Sequence, residues 1–293
     1  MSLVAPRTAP TAVQPRRPTG LSALTVVALF AALVVAGPFA APYDPAAADF
    51  FNRLAAPSFA HPLGTDQLGR DVLSRLLAGL WTTPVAAAAV VVIALATGSA
   101  VGLAAAVIGG PLDLVVMRLT EALLTIPALA VALAIAGVLG INLSTVVVSL
   151  AVVHSGEYAR LVRNVAIAEA SATHVLAAKA LGASPLRIAL RHILPGLTRP
   201  VLSVAAFSFS FAALSFAGLS FLGLGTPPGS AEWGAMIAEA RSHMRAHPHL
   251  VLAPGLAIVA TVLLANLVGD ALGDRRARPS ALLSPPVTRK DRL

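Results

Sequence analysis

Residues 76–112 form an unbroken run of 37 positions without Asp, Glu, Lys or Arg. A helix crosses the hydrocarbon core of a bilayer with about 20 mainly apolar residues, so this run holds a full crossing, from about Pro84 to Ile108. Comparable runs extend from Leu21 to Ala41, after Arg199 as far as Leu222, and from Leu250 to Val268. The interval between Glu121 and Glu157 is long for one crossing and short for two. Gly137, Gly140, Asn142 and Ser144 put a tight turn inside it, and the helix after that turn is expected to run on toward Arg160 and Arg163. The chain therefore reads as an all-α polytopic membrane protein with six transmembrane helices. Composition agrees: 57% of residues are apolar and 12% charged, with a mean hydropathy of +0.83, whereas soluble domains carry about 25% charge.

With the N-terminus in the cytoplasm, 16 of the 21 Lys and Arg residues fall in inside segments; only Arg53, Arg70, Arg75, Arg241 and Arg245 lie outside. This bias sets the orientation and puts both termini in the cytoplasm. It also accounts for the net charge of +8 without nucleic acid. The expected organisation is a disordered cytoplasmic leader at 1–20, a first transmembrane helix at 21–41, and an extracytoplasmic segment with an amphipathic helix at 42–83. A five-helix core at 84–274 follows, with a long cytoplasmic loop at 157–199 inside it, and then a cytoplasmic tail at 275–293. The first helix is not read as a signal peptide: its apolar part exceeds the usual stretch of about 7–15 residues, and Pro38-Phe39-Ala40 lacks an Ala-x-Ala site.

Several chemistries are excluded. There is no cysteine, hence no disulfide, thiolate metal site or thiol nucleophile. The two lysines, Lys179 and Lys290, do not follow glycine, so no Gly-Lys-Ser/Thr loop can cradle a nucleotide phosphate. Ion-coupled carriers place ionisable groups within their spans, but His154 and Asp270 are expected near membrane ends, with nothing at a midplane. An intramembrane serine protease would use Ser220 of Gly218-Leu219-Ser220, yet needs a base within hydrogen-bond reach, and no histidine falls inside the sixth span. Transport powered from outside the spans is the reading that remains.

Attention then moves to the loop at 157–199. The segment through Leu176, Ala177, Ala178 and Lys179 favours helix up to Leu181, and Gly182 suits the left-handed residue that ends one. After Ala183, Ser184 is an N-cap and Pro185 fits the first helical position; the next helix, carrying Arg187, is expected to stop at Pro195. Small residues flanked by Lys179, Arg187 and Arg191 leave a surface that suits docking into a groove of a cytoplasmic partner, and an ordinary loop is the alternative.

This stretch resembles the cytoplasmic motif of ABC-importer permeases, Glu-Ala-Ala-x3-Gly-x9-Ile-x-Leu-Pro, with Ala177, Ala178, Gly182, Leu194 and Pro195 in register. Leu176 replaces the glutamate and His192 the isoleucine, so the glutamate's usual role does not carry over. The chain is further similar to the C-type permeases of dipeptide, oligopeptide and nickel importers (DppC/OppC-like). The residues that carry this are His61-Pro62-Leu63-Gly64-Thr65-Asp66-Gln67-Leu68-Gly69-Arg70-Asp71-Val72-Leu73-Ser74-Arg75, Ala180–Ser184 with Arg191–Pro195, and Leu219–Gly225. Trp233-Gly234, Pro254-Gly255 and Gly269-Asp270 follow in family order, so the likeness covers roughly Leu21 to Asp274. It implies a type I ABC importer permease fold in a bacterial inner membrane, with residues 176–187 as the coupling knob and no cofactor or catalytic residue of its own. It also implies a second related permease, two ATPase subunits that hydrolyse ATP with Mg, and an extracytoplasmic receptor. Di- or oligopeptides are the first expectation for the cargo, and nickel, a metal chelate or haem the alternative.

Two outside segments complete the expectations. Leu68, Val72, Leu73, Leu76, Leu77 and Leu80 recur at helical spacing and predict a helix at the outer interface, capped by Thr65 or Asp66, with an Asp71–Arg75 pair; it would meet the receptor or pack on the partner permease. In the loop after Pro227-Pro228, taken as the break of the fifth helix, Trp233, Met236, Ile237, Ala240 and Met244 form an apolar stripe. By the resemblance this loop overlies the outer mouth of the pathway, which makes Trp233, Met236, His243 and His247 candidates for contact with the cargo. His243, His247 and His249 could converge on a metal or haem, or simply face solvent.

Overall fold

The computed structural model describes residues 20–273; the expected leader before Gly20 and the expected tail lie outside the described residues. Ten α-helices occur along it: α1 Gly20–Ala36, α2 Val72–Ile108, α3 Gly110–Thr125, α4 Ala128–Leu139, α5 Leu143–Ala170, α6 Thr173–Ala180, α7 Pro185–Ile188, α8 Leu194–Phe221, α9 Trp233–Ala240 and α10 His249–Gly273. Among the described residues no strand forms; Thr65 and Asp71 make one isolated bridge.

The amphipathic segment is not a separate helix. α2 starts at Val72, where the Asp71 carboxylate accepts from the Ser74 N–H, and runs unbroken through 37 residues to Ile108. Pro84 sits inside it, since a long membrane helix tolerates the loss of one backbone donor. The leucines at 73–80 are thus the outer end of the second crossing itself.

The third crossing departs from a straight rod. α3 and α4 meet at an angle of 96°. The residue before a proline avoids helical backbone, and Ile126 before Pro127 is extended, with φ −91° and ψ 134°. The turn expected near Gly140 is present: Gly140 has φ +88°, and the Asn142 side chain caps α5 by accepting from the Thr145 N–H. α2, α8 (Pro200–Phe221) and α10 are each long and apolar enough to cross a bilayer, and the bent α3–α4 pair makes a fourth. α5 has 28 residues but carries His154, Glu157, Arg160 and Arg163, and the apolar helix at Thr25–Ala40 is short. Three helices among the described residues thus meet the criterion of length and composition, four if the bent pair is one span.

Glycine sets the closest packing. A Cβ on Gly98 would lie 2.3 Å from the Ser155 carbonyl oxygen, and one on Gly102 2.3 Å from that of Ala159. This Gly-x3-Gly spacing brings the α2 and α5 backbones together. Around that seam Val90, Leu150, Tyr158, Val162 and Phe216 form the main core. α8 and α10 are tied by hydroxyls, Ser203 donating to the Gly269 carbonyl (3.1 Å) and Ser210 to Asn266 Oδ1 (2.9 Å).

Candidate functional site

The inside elbow forms as its local signals predict. α6 closes with paired backbone bonds, Gly182 N–H to the Lys179 carbonyl (3.0 Å) and Ala183 N–H to that of Ala178 (3.1 Å). Gly182 at φ +80° makes this ending possible. Ser184 then caps α7, with Pro185 in its first turn. The second helix does not stop at Pro195, however. α7 passes through a π-helical stretch, Ala189–Ile193, straight into α8. Pro195 is interior to this run and has no N–H to donate, and the π stretch lies directly before it. Much of the loop at 157–199 is therefore helix, as α5 also reaches Ala170.

Val175 is buried and fastens α6 to the body, while Leu176, Leu181, Leu186 and Leu190 stand out, Leu181 at 89% exposure. Lys179, Arg187 and Arg191 are exposed beside them, with Ala177 exposed and Ala178 and Ala183 half-buried. Sequence reasoning singled out Leu176 with the small residues and the basic rim but not Leu181, Leu186 and Leu190. Apolar side chains this bare on a non-membrane turn mark a contact surface. The His174 and His192 rings face each other across the elbow at 6.1 Å.

The outer segment hides a charge cluster that the sequence pattern did not reveal. Arg75, expected to pair with Asp71, instead bonds Asp66 Oδ2 (2.6 Å) and Glu239 Oε2 (2.9 Å). Arg70 bonds the same two carboxylates at 2.7 and 2.6 Å. Arg70 Nη1 also donates to the Gly229 carbonyl (3.1 Å) and Arg75 Nη2 to that of Ser230 (2.9 Å), while Arg75 Nε is buried without a partner. Asp71 is occupied by its cap and by His61 Nδ1 at 2.9 Å. Burial pushes the Glu239 carboxyl up, but the Arg75 and Arg70 guanidiniums and the Gly229 N–H outweigh it, and the net direction is down. Two cations and two anions cancel, which is the condition for burying them.

Beneath the cluster, Glu232 caps α9, accepting from Gly234 N–H (3.0 Å), Ala235 N–H (2.8 Å) and the Thr83 hydroxyl (2.9 Å). Burial raises its carboxyl above the ordinary range, against the pull of these donors. Trp233 and Met236 are buried as well, with Trp233 Nε1 donating to the Leu76 carbonyl (3.0 Å). Trp233 packs on Gly79, and Met236 belongs to the buried apolar cluster of Val72, Leu80 and Leu250.

The helix before this loop ends earlier than Pro227-Pro228: α8 stops at Phe221, with Leu224 N–H bonding the Leu219 carbonyl (2.9 Å) around Gly223 at φ +80°. The three outer histidines do not assemble. His247 and His249 stand edge to face at 5.9 Å, but no group of three or more His, Cys, Asp or Glu able to hold a metal forms among the described residues. Ser220 is buried, and no imidazole is hydrogen-bonded to its hydroxyl, which removes the protease arrangement.

His154 stands 11 residues into α5 from Leu143, buried, with Nδ1 3.2 Å from Glu157 Oε2.

A profile of the family described as "Binding-protein-dependent transport system inner membrane component" matches residues 98–278. The nickel transport system permease NikC of Escherichia coli (strain K12) is 37% identical over 252 residues, covering 86% of this chain and 91% of that protein. The probable D,D-dipeptide transport permease DdpC of the same strain is 37% identical over 257 residues, 88% and 86% of the two chains. The glutathione transport permease GsiD of Pectobacterium atrosepticum is 36% identical over 260 residues, again 88% and 86%. Among solved structures, a chain of the MetNI methionine ABC transporter in inward-facing form matches with a TM-score of 0.55 at 19% identity, covering 68% of this chain and 94% of that one, a likeness of fold. The chain belongs to the binding-protein-dependent transport family, as an inner-membrane permease of the peptide and nickel ABC-importer group with a type I importer fold.

Proposed function

We propose that this chain is one of two permease subunits of an ATP-driven importer in the bacterial plasma membrane, with both termini in the cytoplasm and short peptides as its cargo. Two ATPase subunits hydrolyse ATP with Mg on the inside, and an extracytoplasmic receptor delivers the cargo from the outside. The observation that carries this reading is the elbow at 171–193, a fixed turn whose leucines are bare and rimmed by cations. A motor protein docking there moves α8 directly, because α7, the π stretch and α8 are one continuous element. Peptide cargo is favoured by the relatives named for D,D-dipeptide and glutathione transport; nickel is the second reading, on the relative named for nickel transport. His243 and His247, half-buried in the outer loop, stay as candidates for contact with cargo at the outer mouth.

Gly182→Trp tests the coupling. Nothing lies within 4 Å of the position where its side chain would begin, so the chain still inserts, but φ +80° is strained for any other residue. Transport by the assembled importer is expected to fall at least about tenfold for a strain of about 1–2 kcal/mol and a blocked groove, with the protein's amount in the membrane unchanged. Normal uptake by this variant sinks the assignment of the elbow.

A further inference from the structure

α1 stands off from the bundle along most of its length. From Thr25 on, the only side chain of α1 that is buried is Val34, while Val27, Leu29, Leu33 and Val35 are exposed. Its seat lies just past its C-terminal end. There Gly37 is close enough to α2 that a Cβ would come 2.6 Å from the tip of Leu80 and 3.4 Å from the Leu77 carbonyl oxygen. Between the rest of α1 and the body runs a groove of about 350 Å³. Its walls include Val26 and Phe30 of α1, Trp81 and Ala88 of α2, Phe209 of α8 and Ala265 of α10.

The chemistry of these walls narrows what can fill the groove. No charged side chain lines it, and apart from the Trp81 indole its one polar group is the Thr261 hydroxyl. That hydroxyl is already satisfied within α10, donating to the Ala257 carbonyl (2.9 Å). A water held in a cavity needs two to four polar partners, whereas a purely apolar cavity of about 150 Å³ stays dry and takes up benzene. This groove is more than twice that size and equally apolar.

A helix of another subunit is too large for it. At about 10 Å across and 5.4 Å per turn, a single helical turn occupies about 400 Å³, more than the whole groove. A flexible hydrocarbon chain has no such limit. The medium that reaches the groove supplies one, because α2, α8 and α10 are the three helices whose length and composition suit a bilayer.

We propose that the groove is a binding site for one acyl chain of a membrane phospholipid. The chain packs between α1 and the face formed by α2, α8 and α10, and takes the place of the direct helix contact that α1 lacks. Lipid tails are as apolar as leucine, so entry from the bilayer brings no hydrophobic gain. Retention comes from dispersion contacts with walls on several sides. The site goes beyond the importer reading and depends neither on the cargo nor on the elbow.

Trp81 reports on the occupant. It is one of two tryptophans in the chain, and the other, Trp233, is buried. The complete importer, stripped of lipid in detergent, is titrated with a phosphatidylcholine brominated at mid-chain, since bromine quenches an indole that it touches. The difference between the wild-type complex and a Trp81→Phe complex isolates the Trp81 signal. That signal is expected to fall to a plateau reached near one lipid per chain. A fall that follows bulk lipid without a plateau means annular contact only and overturns the proposal. An unquenched Trp81 overturns it too, and is the result if a neighbouring subunit covers the groove.

Ala88→Phe and Ala265→Phe fill the groove from two different walls, and each is expected to abolish the plateau. A plateau unchanged in both puts the lipid elsewhere and overturns the site. Phe30→Trp in the Trp81→Phe background keeps the test decisive should the filling variants fail to assemble. It moves the indole to the α1 wall without closing the groove and is expected to show the same plateau; its absence overturns the proposal.

Discussion

Arg75 joins two carboxylates that lie 9 and 164 positions away in sequence, through one guanidinium nitrogen. Such a contact has no local signal. The motif at 61–75 was legible as a family pattern, but its spacing suggested an i,i+4 pair with Asp71, because only neighbours on one helix are visible in a string of letters. The buried cluster makes a strong prediction. Arg75→Ala leaves Asp66 and Glu239 to share Arg70 alone, one net negative charge in a buried cluster, and is expected to cost about 3–5 kcal/mol, read as a lowered midpoint in thermal unfolding of the detergent-solubilised protein. Arg245→Ala, on an exposed side chain, should stay within about 0.5 kcal/mol. The Glu239 carboxyl is lowered on folding, so its contribution is fully present above the unfolded value of 4.5 and is lost as pH falls through the folded value below it. The stability gap between the native chain and Glu239→Gln should hold from pH 7 to 5 and close on further acidification; a gap that widens in acid would contradict the sign.

At the scale of elements, what the sequence made legible was whatever a few adjacent residues decide. Gly182, Ser184 and Pro185 specify the elbow, and Asn142 caps α5, each through bonds spanning no more than five residues. Helix continuity was harder. Pro195 read as a stop and Pro84 as a start, yet a π stretch precedes the first and a long membrane helix absorbs the second. The α2–α5 seam supplies the test at this scale. Gly102→Val meets the Ala159 backbone, which cannot yield as a side-chain tip would, and is expected to destabilise by about 2–3 kcal/mol. Gly137→Val, with open space around it, should cost only its small helix-propensity change. Equal losses in the two variants would mean that the seam is not the tight contact.

For the whole molecule, the proposed orientation rests on the distribution of basic residues, and the structure supplies reporters that test it. Phe51 and Phe59 in the outer segment are fully exposed, and Leu181 on the elbow nearly so. In intact cells, Phe59→Cys is expected to react with an impermeant thiol reagent and Leu181→Cys only after the membrane is opened. The reverse pattern would invert the topology.

The outer charge cluster also has a mechanical meaning. Gly234 of α9 lies against Ala217 near the outer end of α8, where a Cβ would come 2.1 Å from the carbonyl oxygen, and Arg70 and Arg75 bolt the chain between them to the start of α2. α8 is thus pinned at one end by polar bonds and a backbone contact, and is held at the other, where the elbow sits 28 residues away, about 42 Å, by the apolar packing of Ile193, Leu197 and Val201. It behaves as a long arm on a fulcrum: a tilt of about 5° sweeps the elbow by about 4 Å along that length while the pinned end scarcely shifts. A modest stroke on the inside can thus reshape the inner half of the bundle and leave the outer face, where a receptor would rest, almost still.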